Sequence, residues 1–535
     1  MSAYQVRLCT QLLSEYFGEI VSKVGESLMQ LGQSPLAIII NHCGQSASNC
    51  KKSIATLIQH QMVTFGKHSR GYTEYTINPD RVLLLLRYPR YIHIAKVMFG
   101  VIGEQIIEKI LKDGMLTVDE IVQRVIPHLD GKVSEPAHKF PQLVYDVFGR
   151  IVQEKFIAPC CRYSDEKKSA DWYDKPIDEE LQDELIKLSP LNQASQESSD
   201  TDEPATKRRK RDIASSDSRS TVNSNVIYWQ VNVETFHIAI RDTMIMEGLK
   251  TYYNDDKAAQ LVRAILGCGA SKRNLWIKET LEVPKNEIES CCTREHLFRN
   301  SDELDTYLLF LTDDNNAFVI RSGELAGIPL YRVNTFNIID RMVKSCLSSA
   351  VIDRFGTRPG RIFNLLLPRK PNEPNCKQYK QIEEMAMMEP KDVKECTISL
   401  LENRFIKMMQ FPKQNEYACF LFTTDIEDMC RNMLERSYHA VSNCIVRRNH
   451  EIQSHKSLID RKVLIEAVIV NLRQQSNEQP DVEQQIEELN QSFSTHDREL
   501  LAKLKLTTTN LEIGELKIDE TLILMETWIK MNLTS

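Results

Sequence analysis

The chain is 535 residues long, room for several domains of the usual ~100–200 residues each. Its 42% hydrophobic and 26% charged content is that of an ordinary soluble protein with apolar mass for several cores. The 74 acidic residues outnumber the 67 basic ones, for a formal charge of −7. That excludes a protein basic all over, so any contact with nucleic acid has to come from local patches.

The first elements read as helices. Val6, Leu8, Leu12, Leu13 and Tyr16 recur at helical spacing, and Ile20, Val24, Leu28 and Leu31 continue it after Gly18. Ser34-Pro35 has the form of an N-cap followed by proline at the first helical position, opening PLAIIINHCG. Ser46 is placed to cap a further helix, SASNCKKSIATLIQHQ, which turns Ile54, Leu57 and Ile58 inward and Lys51 and Lys52 outward. Two β-like runs follow, Met62 to Phe65 and Tyr72 to Ile77, joined by the basic turn KHSRG. Helices ending in one with exposed lysines, then a hairpin with a basic tip, is the winged-helix plan. The last helix of such a unit can enter the major groove, and Lys67, His68 and Arg70 at the tip can touch the backbone.

Next comes a corner, RVLLLLRYPRYIHIAK, from Arg81 to Lys96. Proline cannot sit inside a helix and disfavours the α region for its predecessor, so the leucine helix is expected to end at Tyr88-Pro89. Arg87, Tyr88, Arg90 and Tyr91 would then be displayed between two folded units. Guanidinium forks beside aromatic faces suit phosphates and unpaired bases, and equally a protein interface. The first duty expected of this corner is to fix the orientation of its neighbours, with Tyr88 and Tyr91 packed; contact with DNA is the alternative.

The helix-then-strand signature returns three times. LVYDVFGRIVQEKFIAP ends in a strand from Phe156 to Ala158 with no second wing strand in view. DTYLLFLTDDNNAFVIRSG is followed by a partner at Pro329 to Val333, and CTISLLENRFIKMMQFPKQNEYACFLFTT gives a hairpin from Phe405 to Phe422. Between the second and third units, Ser164 to Asn225 is rich in Ser, Asp, Glu and Lys and reads as a disordered linker. It carries Lys207, Arg208, Arg209, Lys210 and Arg211, a run that fits a nuclear import signal.

From Met429 strand signals vanish. Leu434, Tyr438, Val441 and Ile445 form a seam that reaches Ile452 and Ile459. Asn477 to Pro480 breaks it, and Val482, Ile486, Leu489 and Phe493 begin another, which predicts an antiparallel helical hairpin. A last helix, Ile518 to Ile529, presents Leu522, Met525 and Trp528 to a partner or to the chain itself. The expected fold is mainly α with small β-wings, four tandem extended winged-helix domains followed by a C-terminal antiparallel coiled coil or helical hairpin. The expected bounds are 1–80, 81–163, the linker 164–225, 226–335, 336–428 and 429–535.

Catalytic chemistry finds no footing. The 14 cysteines include no CxxC, only the adjacent pairs Cys160-Cys161 and Cys291-Cys292, and read as thiols in a reducing compartment. His42 near Cys43 and His296 near Cys292 do not make a zinc set, and no phosphate-loop, dinucleotide or nucleophile-elbow motif occurs. No cofactor and no metal are expected. The amphipathic start with Arg7 and Glu15 does not read as a secretory signal, and no apolar run approaches the ~18 residues a bilayer span needs. One basic constellation remains, VIDRFGTRPGRIFNLLLPRK. There Arg354, Arg358 and Arg361 gather at a helix start, where acidic groups are the usual occupants, and they need an external anion or a carboxylate partner.

With these stretches in hand, the chain closely resembles a known family. EYFGEIVSKVG at Glu15 to Gly25, LRYPRYI at Leu86 to Ile92, IYWQVNVETFH at Ile227 to His237, DRFGTRPGRIF at Asp353 to Phe363 and IDETLILMETWI at Ile518 to Ile529 carry the likeness in family order. The family is the large winged-helix subunit of the RNA polymerase III initiation heterotrimer, related to the large subunit of transcription factor IIE. The resemblance implies a nuclear, non-catalytic subunit that binds a second winged-helix subunit, a small acidic subunit and the polymerase clamp. It also implies work with initiation factors to open promoter DNA for small RNAs such as transfer RNA and 5S ribosomal RNA. Single-stranded or bubble DNA is the expected nucleic-acid partner, and a homo-oligomer is not expected. The competing reading is a winged-helix scaffold subunit of another multisubunit complex, with protein contacts only.

Overall fold

In the computed structural model, one local arrangement occurs four times along the chain. The structure describes residues 2–129, 139–160, 227–268, 275–294, 296–298, 301–313, 317–325, 327–368, 375–411, 419–475 and 494–533. The first copy holds α1 (Ala3–Phe17), α2 (Glu19–Leu31), β1 (Ser34–Pro35), α3 (Leu36–Cys43), α4 (Ala47–Gln59), β2 (Val63–Lys67) and β3 (Thr73–Ile77). Its antiparallel sheet has the order β1-β3-β2, with Val63 opposite Ile77 and Lys67 opposite Thr73. Ser46 caps α4 as expected, its hydroxyl accepting from the Asn49 N–H at 3.2 Å.

The exit from α4 shows why helix is followed by strand. Gln61 takes a left-handed φ of 59°, its N–H donates to Ile58 O at 2.9 Å, and the next N–H, of Met62, reaches back to Leu57 O at 2.9 Å. This pair of bonds is a Schellman motif, which satisfies orphan carbonyls of the last turn and throws the chain into β2. The same pair closes α8 (Phe140–Gln153), from Lys155 to Val152 and Phe156 to Ile151, and α16 (Pro390–Glu402), from Arg404 to Leu401 and Phe405 to Leu400. Ala317, with φ 49°, stands at the matching place before β7 (Val319–Leu325).

Three of the wings also close alike. The N–H of Asn78 donates to Met62 O (2.8 Å), that of Asn232 to Phe156 O (2.9 Å) and that of Asn334 to Phe318 O (2.8 Å). The side chain of each then caps the helix that follows, accepting from the N–H of Asp80, Glu234 and Asn337 respectively. Asp425 does the same for Asp428 after the fourth wing. A third mark is an aromatic–glycine kink ahead of each core: Phe17-Gly18, Phe99-Gly100 and Phe355-Gly356. These glycines have φ/ψ of 88/171, 73/−165 and 89/179, a region essentially reserved for glycine. In the third copy Tyr253-Asn254 takes the place, with Asn254 at φ 52°.

The second copy corrects an expectation. Its missing wing strand is β5 (Tyr228–Val231), which pairs antiparallel with β4 (Ile157–Cys160), Cys160 opposite Tyr228 and Ile157 opposite Val231. Leu116 and Trp229 exchange N–H···O bonds of 3.1 and 2.8 Å and supply the short third strand. The residues Tyr228–Val231, expected to open the third unit, therefore complete the sheet of the second. Residues 161–226, including the basic run at 207–211, lie outside the described residues.

The third copy runs through α9 (Val233–Tyr253), α10 (Asp256–Cys268), β6 (Val283–Pro284), α11 (Lys285–Arg294), α12 (Ser301–Thr312), β7 and β8 (Ile328–Val333), with sheet order β6-β8-β7. The fourth comprises α13 (Thr335–Phe355), α14 (Thr357–Leu366), α15 (Tyr379–Ala386), α16, β9 (Lys407–Phe411) and β10 (Cys419–Thr423), with Lys377 bridging Phe422. By contact, the chain divides into one unit of Cys9–Ala239 and another of Met1–Leu8 with Ile240–Ser535.

Two local expectations fail for reasons of proline chemistry. Ser34-Pro35 is not a cap and first turn but a two-residue strand against Tyr75 and Glu74, because Pro35 is extended at φ −75°, ψ 154° and α3 starts after it. Tyr88 is α-helical at φ −53°, ψ −43°. After α5 (Pro79–Leu83), Leu84–Arg87 form a 3-10 turn. Pro89 then sits in the first turn of α6 (Tyr88–Asp113), where its lost N–H costs nothing.

Past the fourth wing, α17 (Ile426–Ser454) packs against α19 (Thr495–Leu533) as an antiparallel helical pair. Tyr438, Val441 and Ile445 are buried along the seam, and Arg448 pairs with Glu515 at 3.1 Å with both side chains 12% exposed. The expected break at 477–480 and the seam beginning at Val482 lie outside the described residues. The end of α19 packs on the chain itself: Leu522, Met525 and Trp528 are buried, and the Trp528 indole N–H donates to Asp340 Oδ1 at 3.0 Å. Asp340 is also held by Lys344 at 2.6 Å, so this buried carboxylate is paired. Among the described residues no helix is long and apolar enough to cross a membrane.

Candidate nucleic-acid interface

The basic face of the first winged helix is built by α4 and the β2–β3 hairpin. Cys50, Ser53, Ile54 and Leu57 take the inner side of α4, which leaves Lys51 and Lys52 exposed. At the hairpin tip the Gly71 N–H donates to His68 O (2.8 Å) and the His68 N–H to Tyr72 O (2.9 Å), with Gly71 at φ 88°. This is the three-residue loop whose last position favours glycine. The His68 ring stacks on Tyr72 with centroids 4.6 Å apart, and its Nδ1 accepts from the Arg70 backbone N–H at 3.2 Å. His68 is therefore spent on shaping the tip. The cations offered outward are Lys51, Lys52, Lys67 and Arg70, all exposed and without an ion pair among the described residues.

The corner is different. Arg87 is 5% exposed and Tyr91 fully buried. The Tyr91 hydroxyl lies 2.7 Å from His237 Nε2, and the Arg87 guanidinium lies 3.4 Å from the same nitrogen. The hydroxyl and the guanidinium thus converge on one ring nitrogen of His237. Tyr16, Tyr88, Tyr91 and Phe236 form a ladder of rings with successive centroids 6.0, 6.2 and 5.0 Å apart. Burial pushes the Tyr88 phenol well above its ordinary value. Arg87 and Tyr91, candidates for DNA contact in the alternative reading of the corner, are turned inward; the corner is a packed joint, and Tyr91 has no face left for a base.

The three arginines around Gly356 are also dispersed. Arg358 pairs with Asp392 at 2.9 Å, and Arg361 donates to Ala386 O at 3.1 Å, capping the end of α15. Arg354 alone points to a new neighbourhood. It donates to Asn403 Oδ1 at 3.1 Å, and Arg436, from α17, donates to the backbone carbonyl of the same Asn403 at 3.3 Å. Sequence reasoning missed Arg436, because nothing local in IEDMCRNMLERSYHA marks it as facing the fourth winged helix.

Four family descriptions match stretches of the chain. "RNA polymerase III subunit RPC82 helix-turn-helix domain" covers residues 7–68, which end at the wing tip. "RNA polymerase III subunit RPC82" covers 164–342, and "POLR3C, C-terminal winged-helix domain" covers 347–423. "DNA-directed RNA polymerase III subunit RPC3, helical hairpin domain" covers 457–524. The chain is 31% identical over 545 residues to the DNA-directed RNA polymerase III subunit RPC3 of Bos taurus and also to that of Homo sapiens, each alignment covering 99% of both chains. The chain belongs to the RPC3 family of RNA polymerase III subunits. More distantly, the RPC3 subunit of Dictyostelium discoideum is 22% identical over 267 residues, 46% of this chain and 38% of that one. The RPC3 helical-hairpin match takes in α18 (Lys456–Gln475) and most of α19, and the winged-helix match at 347–423 takes in the fourth copy of the repeat from within α13 to β10.

Proposed function

We propose that this RPC3-family chain is a non-catalytic, nuclear subunit of RNA polymerase III that acts in initiation by binding promoter DNA and favouring its opening. The observation that carries the reading is the first winged helix, where Lys51, Lys52, Lys67 and Arg70 stand exposed, and without an ion pair among the described residues, on the helix and wing such folds turn to DNA. Cations of this kind neutralise phosphates and give sequence-tolerant, salt-sensitive binding. The mechanism is positional. A subunit that holds separated strands better than duplex shifts the closed–open equilibrium by its difference in affinity, and no nucleotide chemistry is asked of it. A second winged-helix subunit, a small acidic subunit, the polymerase clamp and initiation factors are the proposed protein partners, and the import signal at 207–211 the proposed route to the nucleus.

We also propose that the second winged helix comprises 88–160 with 227–232, and that the third begins at Val233. The scaffold reading, with protein contacts only, draws on Val463 and Leu464 of α18, which are 58% and 66% exposed. Such residues fit a protein partner, and both readings can hold on different parts of one chain.

The test is transcription by a polymerase depleted of this subunit and restored with the Lys51→Ala/Lys52→Ala/Lys67→Ala/Arg70→Ala variant. It should fail on duplex promoters and recover on a premelted template. Equal activity of variant and wild type on duplex would sink the opening role.

A further inference from the structure

Two guanidiniums meet where α16 ends. Asn403 caps that helix, and its amide donates to Ser399 O at 2.9 Å. Its two oxygens take the N–H groups of Arg354 and Arg436 described above. The Arg354 guanidinium lies 5.3 Å from the centre of the Phe355 ring and that of Arg436 lies 5.1 Å from Phe405, while the two rings meet edge to face at 5.6 Å. Two cations are thus planted side by side on an aromatic floor. Arg404, exposed at the left-handed position, follows Asn403 directly in the chain and is a further basic residue next to the pair.

Arg354, Arg404 and Arg436 make no ion pair among the described residues, whereas nearby Arg358 has Asp392. Burial, and then the neighbouring Arg354, push Arg436 below its ordinary value. The carbonyl end of a helix carries about half a negative charge, which offsets only part of this repulsion.

We propose that Arg354, Arg404 and Arg436 form a seat for a backbone phosphate of nucleic acid. A phosphodiester offers two free oxygens, one for each fork, and arginine forks match that geometry. A carboxylate also has two oxygens, so a competing polyglutamate probe tells the two anions apart. The inference rests on the proposed DNA-binding role and adds a second point of contact, on the fourth winged helix, to the first.

The experiment measures binding of a labelled single-stranded oligonucleotide by the full chain across a salt series, with a polyglutamate peptide as the competing probe. Arg354→Gln/Arg436→Gln keeps an N–H for each oxygen of Asn403 and removes both charges. With an unchanged melting temperature, the slope of log K against log salt should fall by about 1.4, roughly 0.7 for each lost contact on a single strand. An unchanged slope, with Lys51→Ala/Lys52→Ala still lowering it, overturns the seat and leaves the DNA-binding role standing. Polyglutamate binding lost while DNA binding is untouched also overturns it, in favour of an acidic protein segment. No DNA binding by the wild type overturns both. If the double variant does not fold, Arg404→Gln decides: a slope lower by about 0.7 supports the seat, and an unchanged slope rejects it.

Discussion

The Tyr91 hydroxyl bonds His237 Nε2 at 2.7 Å across 146 residues of sequence. It joins the corner after the first wing to the helix that follows the second, and Arg87 approaches the same nitrogen at 3.4 Å. With Tyr91 fully buried and Arg87 5% exposed, this contact contributes to stability and not to recognition. Tyr91→Phe, which keeps the ring and removes the hydroxyl from the half-buried His237, should cost about 0.5–1.5 kcal/mol in chemical denaturation. DNA affinity and its salt slope should not move. A variant as stable as wild type but weaker on DNA would return the corner to the interface.

The glycine kinks allow a cleaner test of backbone strain. A Cβ added at Gly18, Gly100 or Gly356 would meet nothing within 4 Å, so only the backbone objects to alanine there. Each Gly→Ala change should cost about 1–3 kcal/mol in unfolding experiments. Costs below about 0.5 kcal/mol, the level of an ordinary surface change, would mean that the kinks relax.

Parts of this architecture were legible in the sequence because they are written locally. An apolar helix end running through polar residues into a β-like run is what the Schellman turns at Gln61, Lys155 and Arg404 require, and it was found four times without knowing the turn. The resemblance in the quoted motifs was equally local. What escaped was non-local. Trp229 completes a sheet with Leu116 and Pro159 from beyond the stretch 161–226, so a reading by proximity assigned its strand to the next unit. Arg354 was seen among Arg358 and Arg361, its neighbours in sequence, while its companion in space is Arg436. Proline was misjudged for a related reason: its effect at Pro35 and Pro89 depends on whether a helix is beginning or ending there.

His60 gives a pH dependence with a definite sign. Burial, with the Phe17 ring 4.7 Å away, pushes its imidazole down from 6.5 to about 4, against the pull of Asp113. The unfolded chain therefore takes up this proton before the folded one does. Below 6.5 each drop in pH favours unfolding, and the loss levels off near 4. Denaturation midpoints of wild type should fall faster than those of His60→Gln across this window. Parallel curves would show that His60 titrates as freely folded as unfolded.

The pairing of β4 with β5 predicts how the chain behaves when cut. With a protease site inserted between residues 161 and 226, cleavage should leave the two pieces in a one-to-one complex. Residues 157–160 and 228–231 belong to one sheet and Tyr91 holds His237. Size-exclusion chromatography reads the result. Separation of the fragments under native conditions would contradict the shared sheet.

The most direct test of the account is binding of bubble, single-stranded and duplex DNA by the purified chain at moderate salt. The account predicts tighter binding to bubble and single strands than to duplex. It also predicts a salt slope that falls by about 0.7–0.9 for each of Lys51, Lys52, Lys67 and Arg70 replaced by alanine. Equal and negligible binding to all three, or a slope indifferent to these four residues, would contradict it and leave the RPC3-family chain a scaffold.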